Sequence, residues 1–216
     1  MARRYDCNDA TDRKTGLREA AAAVRRGELV VLPTDTLYGI GADAFSSEAI
    51  GDLLRAKGRG RNMPTPVLIG SPNTLHGLVT DFSEHAWELV DAFWPGPLTI
   101  VARHQPSLAW DLGETRGTVA LRMPLHPVAI ELLTEVGPMG VSSANLTGHP
   151  APEDCDAAQG MLGDAVSVYL DGGPTPGIQP SSIVDCTGKV PVLVREGALS
   201  AAQLREVVPD LVEVAP

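Results

Sequence analysis

Apolar positions along the chain change period repeatedly, from three or four residues to two or to short continuous runs, and each change marks an element. "TGLREAAAAVRRGE" reads as an Ala-rich helix, with Thr15 as its candidate cap and Gly27 as its stop. "ELVVLP" follows as a buried strand that Pro33 ends. "SSEAIGDLLRAKG" predicts a helix with Ser and Glu in its first turn and Gly58 past its end. "TPVLIG" is a strand, "SPNTLHGLV" a helix opened by Pro72, and "SEHAWELVDAFW" an amphipathic helix stopped by "PGP". "PLTIVAR" and "GTVALRMP" are β-branched strands, and "HPVAIELLTEVG" a helix from Pro127 to Gly137. "MGVSSA" returns to strand and "EDCDAAQGML" to helix. Strands "VSVYLDG", "SSIVDC" and "PVLVRE" come next, and "SAAQLREVV" is a last helix. Alternation early and consecutive strands late predict one α/β domain over residues 1–216 with a mixed sheet.

Composition narrows the function classes. At 216 residues, 44% hydrophobic and 20% charged, the chain reads as a soluble globular protein. A net charge of −10 argues against broad polyanion binding but leaves room for a local cationic pocket. Cys7, Cys155 and Cys186 are far apart and odd in number, which predicts neither a disulfide framework nor a zinc site. No apolar stretch follows the N-terminal arginines and no run approaches a membrane span, so a cytoplasmic protein away from membranes is expected. The sequon at Asn145 carries no weight in that compartment.

Individual motifs leave the chemistry open. A P-loop is absent, and "GIGADA" matches the dinucleotide pattern without a strand running directly into it, so its glycines are read as a turn beneath the sheet edge. The five histidines lack metal-ligand spacing and are read as solvated or helix-end residues. "GVSSANLTG" fails the nucleophile-elbow pattern at Ala144. Its Ser142, Ser143 and Asn145 either close a strand–helix turn or bond a ligand. In "RAKGRGRNMP", Arg55 and Lys57 suit the negative end of a helix, whereas Arg59 and Arg61 lie beyond it among glycines. Such a loop is either solvated or a polyphosphate cradle. Thr34, Asp35 and Thr36 in "PTDTLYG", Arg122 in "VALRMP" and Arg195 in "VLVREG" all stand at strand ends, where they could converge on one concave face.

Taken in order, these pieces resemble the threonylcarbamoyl-AMP synthases built on the YrdC-like domain. The matches are "LPTDTLYGIGADA", "KGR", "FWPGPLTIV", "VALRMPLHPVAIELL", "SSANLTG", "DGGPTPG", "SSIVD" and "VREG", from about Gly27 to Ser200. The resemblance implies a twisted open α/β sheet flanked by helices, with a large concave cationic cleft, in the short form of the family without an extra C-terminal domain. It implies condensation of L-threonine, bicarbonate and ATP to threonylcarbamoyl-AMP with release of pyrophosphate, an adenylyl transfer. Downstream proteins then move the threonylcarbamoyl group to tRNA.

By the same resemblance, Lys57 and Arg59 are the catalytic cations on the ATP phosphates, and Ser143, Asn145, Thr118 and Arg195 bind the nucleotide. Thr34, Arg122 and Ser181 contact threonine, Arg122 through its carboxylate. Mg²⁺ would arrive with ATP and be held by phosphates and water, with no protein metal motif. Three positions depart from the family: Gly60 replaces a proline, Gly70 stands where relatives carry a histidine that helps to hold threonine, and Pro180 replaces a glutamate. A non-catalytic RNA-binding module of the same fold is the alternative function, and a dinucleotide enzyme the third.

Overall fold

The computed structural model of the chain describes residues 2–176 and 179–214. Gly177, the last residue of "DGGPTPG", and Ile178 lie outside them. The first half runs β1 Arg3–Asp6, α1 Ala10–Arg25, β2 Val30–Leu32, β3 Gly39–Asp43, α2 Ser47–Lys57, β4 Val67–Leu68, a 3₁₀ turn Pro72–Thr74, α3 Leu75–Leu78, β5 Val79–Thr80, α4 Glu84–Phe93 and β6 Leu98–His104. The second runs β7 Thr118–Arg122, α5 Pro127–Val136, β8 Met139–Ser143, α6 Cys155–Leu162, a 3₁₀ turn Gly163–Ala165, β9 Val168–Asp171, β10 Ser182–Asp185, β11 Val192–Arg195, α7 Ala201–Val207 and β12 Val212–Glu213.

The strands form one mixed sheet ordered β1-β9-β2-β3-β8-β4-β7-β6-β10-β11-β12, with β5 pairing to β6. Period-two alternation divides the core between the two faces. Val30, Leu32, Leu68, Met139, Val141, Val168 and Leu170 pack with α1 and α5 on one face. Their strand neighbours Leu29, Val31, Val67, Ile69 and Tyr169 join the larger core on the other, under α2, α4, α6 and α7.

Helix starts follow local chemistry. Ser46, Ser83, Asp154 and Ser200 each accept from a first-turn N–H. Helix α1 corrects the reading at Thr15. It starts at Ala10, with Asp9 Oδ1 accepting from Thr11 N at 2.9 Å and Asp12 N at 2.8 Å. Thr15 lies inside it, donating to Thr11 O at 3.0 Å. Gly16 is a close contact inside the helix, since a Cβ there would sit 2.6 Å from Tyr5 Cβ.

"GIGADA" is corrected as well: neither a turn nor a phosphate loop, Gly39–Asp43 is strand β3 between β2 and β8. A Cβ on Gly39 would meet Val141 Cγ1 at 2.6 Å, and one on Gly41 would meet Met139 Cε at 2.8 Å, so these glycines serve sheet packing. Strands β1, β5 and β12 escape the pattern because they are charged or only two residues long.

Candidate functional site

Helix α2 ends on Gly58 in the left-handed region (φ 60°), where Gly58 N donates to Arg55 O and Arg59 N to Leu54 O. This closure sends three cations different ways. Arg55 stays on the helix surface, paired with Asp52. Arg61 leaves outward and donates to Asp111 at 2.5 Å. Lys57 turns inward and is 3% exposed. Its Nζ donates to Ser143 O, to Asn145 O at 2.6 Å and to Asn145 Oδ1 at 3.4 Å. Arg59 Nη1 donates to Ser142 Oγ at 3.0 Å, while its buried Nε has no partner among the described residues. The turn after β8 is stitched to the same place, with Thr147 N donating to Lys57 O at 2.9 Å.

Every acceptor in this first node is neutral. Among the described residues no carboxylate forms an ion pair with Lys57 or Arg59. Burial, and then the Arg59 charge, pull the Lys57 amine down to about 8, and burial lowers Arg59 too. A buried cation beside a half-buried one, without an anion among the described residues, forms a site that an incoming anion relieves.

The second node has its charge matched. Arg122 ends β7 and is 6% exposed. Its Nε donates to Gly96 O at 2.9 Å, Nη1 to Thr36 Oγ1 at 2.9 Å and Nη2 to Asp35 Oδ1 at 2.5 Å. Asp35 Oδ1 also accepts from Leu125 N at 2.9 Å, yet Asp35 Oδ2 is buried without a partner among the described residues. Burial lowers the Arg122 guanidinium against the opposing pull of Asp35, and the Arg195 charge lowers it further. Arg195 is aimed by a bulge between β10 and β11. Its Nη2 and Nε donate to Ser181 O at 2.6 and 3.1 Å. Ser181 Oγ bonds Thr99 Oγ1 at 2.7 Å. Gly197 of "VREG" admits this crossing, since a Cβ there would lie 2.3 Å from Pro180 O.

Seven of the nine residues read from the sequence thus fall into two nodes, and Thr34 and Thr118 stand apart. Lys57, Arg59, Ser143 and Asn145 meet in the first. Arg122, Arg195 and Ser181 meet in the second, so Arg195 stands with the expected threonine residues rather than with the Lys57 cluster. Thr34 holds the loop between β2 and β3: its hydroxyl donates to Leu37 O at 2.6 Å and accepts from Thr36 N and Leu37 N. That loop joins the nodes, because Thr36 takes a bond from Arg122 and Tyr38 O one from Ala144 N at 2.8 Å. Thr118 opens β7, four residues from Arg122, or roughly 13 Å at strand rise. It donates to Thr115 O, and sheet register sets it toward the Ser143 end of the strands.

Sequence reading named Asp35, Thr36 and Ser142 without giving them work, and left out Thr99. The available signal was a run of three polar residues, Thr34 to Thr36, inside a segment flanked by buried strands. Gly70 abuts helix α5, where a Cβ would lie 2.9 Å from Thr134 N, so a side chain there meets helix backbone. A groove of about 680 Å³ between α1 and α2, lined by Arg25, Arg26, Asp43 and Arg55 among others, includes none of the nine.

The chain is 56% identical over 207 residues to a Mycobacterium tuberculosis protein named "Putative threonylcarbamoyl-AMP synthase", covering 96% of this chain and 95% of the relative. It is 37% identical over 195 residues to the threonylcarbamoyl-AMP synthase of Bacillus subtilis, covering 89% of this chain and 56% of that one. The crystal structure of P. abyssi Sua5 complexed with L-threonine superposes with a TM-score of 0.90 at 31% identity, over 99% of this chain and 62% of that chain. YciO of E. coli shares the fold with a TM-score of 0.83 at 23% identity, over 94% of this chain and all of that one. The Sua5, YciO and YrdC family model, described as telomere recombination, matches residues 22–197. The chain belongs to the Sua5/YciO/YrdC family.

Proposed function

We propose that the chain is a threonylcarbamoyl-AMP synthase that joins L-threonine, bicarbonate and ATP and releases pyrophosphate. The observation that carries this reading is the buried Lys57 beside the half-buried Arg59 against the turn after β8, neither paired with a carboxylate among the described residues. A triphosphate supplies the missing negative charge. The first step joins the threonine amine to bicarbonate, giving a carbamate and water. A carbamate oxygen then attacks the α-phosphorus, the bond to the β-phosphate breaks, and pyrophosphate leaves with its charge spread over oxygens that Lys57 and Arg59 face.

Three anions must meet for this to happen, so positioning and charge neutralisation supply most of the acceleration. Arg122 retains two N–H groups beyond its bonds to Gly96, Thr36 and Asp35, one on each terminal nitrogen, and these fit the threonine carboxylate. Arg195 and Ser181 close that side, Thr118 serves the nucleotide, and a cleft between the nodes brings the substrates together. Among the described residues no group of three His, Cys, Asp or Glu is placed to hold a metal ion. A Mg²⁺ carried in by ATP would be held by phosphate oxygens and water and would help neutralise the phosphate charge beside Lys57 and Arg59. No helix among the described residues is long and apolar enough to cross a membrane, and we place the reaction in the cytoplasm, upstream of transfer to tRNA.

The test is direct. Incubation with ATP, bicarbonate and threonine yields threonylcarbamoyl-AMP and pyrophosphate in equal amounts. No product alongside a working control enzyme rejects the proposal. The relatives' names favour this chemistry over the non-catalytic RNA-binding reading.

A further inference from the structure

The buried pair of Asp35 and Arg122 is half used. Both bonds to the Asp35 carboxylate, from Arg122 Nη2 and from Leu125 N, go to Oδ1. Oδ2 is sealed from solvent without a partner among the described residues, on a side chain 10% exposed. A buried acceptor left unbonded incurs its full desolvation cost, which a donor that arrives with the ligand relieves. The neighbouring guanidinium has the complementary vacancy, two N–H groups, on Nη1 and Nη2, unused among the described residues. An acceptor oxygen beside a free donor fork matches an α-amino acid, which presents N–H groups one carbon from a carboxylate.

We propose that Asp35 Oδ2 accepts from the α-amine of the amino acid whose carboxylate Arg122 binds, so that residues 35 and 122 together read the substrate's backbone. This rests on the synthase reading above. The torsion about the Asp35 Cβ–Cγ bond is soft, so a small rotation adjusts Oδ2 toward the ligand while Oδ1 keeps its bonds to Arg122 and Leu125. Carboxylation leaves one N–H on the substrate nitrogen, and the contact therefore persists into the adenylation step. Asp35 then positions both ends of the nucleophile, one directly and one through Arg122.

The experiment compares threonine with 3-hydroxybutyrate, which lacks only the amine, by calorimetry on the full chain. The wild type is expected to prefer threonine by about tenfold or more, as sites built around a hydrogen bond reject analogues that lack it. Asp35→Asn keeps the shape but puts an N–H donor where Oδ2 was, and should bring the ratio near one with ATP affinity unchanged. Thr36→Val loosens Arg122 without touching Oδ2, and should weaken both ligands while keeping their ratio. A wild-type ratio near one overturns the proposal without any variant, and so does an Asp35→Asn protein, folded by circular dichroism, that retains the preference. A wild type with the amine preference that makes no threonylcarbamoyl-AMP overturns the synthase reading instead. A chain that binds neither ligand overturns both.

Discussion

The two nodes treat the same problem, a buried guanidinium or ammonium, in opposite ways. Arg122 is charge-matched by Asp35 and held by Thr36 and Gly96 before any ligand arrives. Lys57 and Arg59 have only neutral acceptors, Ser142, Ser143 and Asn145. A matched cation is rigid and selective, and suits a small zwitterion that must be placed accurately. An unmatched pair is an electrostatic debt that a polyanion settles, and suits a triphosphate bound for its charge. The difference should appear on mutation, because removing one partner of a matched pair strands the other, while removing an unmatched cation strands no charge.

The largest effect on activity is expected at the unmatched node. Lys57→Ala should lower kcat/KM by roughly a hundredfold to a thousandfold, the range for losing one preorganised charge donor. Its stability should shift by no more than about 2 kcal/mol, since relief from burying a cation offsets the bonds lost by Ser143 and Asn145. Chemical denaturation alongside steady-state kinetics separates the two. A Lys57→Ala protein with near-normal turnover would refute the assignment of the first node to phosphate.

At the matched node the largest effect should fall on stability. Arg122→Ala leaves Asp35 buried and unpaired, for a loss of about 3–5 kcal/mol. The double change Arg122→Met with Asp35→Leu should recover most of that stability while threonine affinity stays lost. A double variant no more stable than Arg122→Ala would mean that the pair is not the unit described here.

The pH dependence sharpens the contrast with two opposite signs. The folded Lys57 amine sits near 8, below the ordinary lysine range. ATP affinity should therefore fall as pH rises through about 8, because the charged form is the one that binds. Stability of the free protein should respond the other way. From about pH 8 upward to the ordinary lysine value the unfolded chain binds more protons at this site, so Lys57 contributes rising stability across that window. Titrating ATP binding and melting temperature in parallel checks both, and Lys57→Met should flatten both.

Smaller effects test the surroundings. Gly70→Ala places a methyl 2.9 Å from Thr134 N and should cost about 1–3 kcal/mol without a change in KM for either substrate. Arg55→Ala removes an exposed pair with Asp52 and should leave activity alone and stability within about 1 kcal/mol. A large loss of activity at Arg55 would move the phosphate site onto the helix surface.

Most of the fold was legible from the chain. Hydrophobic period and caps located α2, α4, α5 and α7 closely, because Ser46, Ser83, Pro127 and Ser200 act on their own first turns. Where a residue's meaning lay across the molecule, the reading failed. Nothing near Gly16 in the chain marks it as a contact, because Tyr5, eleven residues earlier, is what packs on it. Gly39 and Gly41 looked like a turn because the side chains that cover them belong to β8, about a hundred residues later. The site divides the same way. The family resemblance gave Lys57 and Arg59 their role where spacing left a solvated loop open, and Asp35 was named without one, since nothing local says which cation it faces.

The sequence by itself therefore determined the alternation of elements, the helix ends and the residue types available for anion chemistry, all of which depend on interactions within a few positions. Only the tertiary structure decided how those residues group. Sheet order places β8 between β3 and β4 and lets the turn after Ser143 receive Lys57. The β2–β3 loop carries Asp35 and Thr36 to Arg122, some 86 residues along the chain. Whether a buried cation is matched or left for a ligand is settled by such long-range contacts, because an ion pair depends on distance in space and the chain encodes distance only along itself.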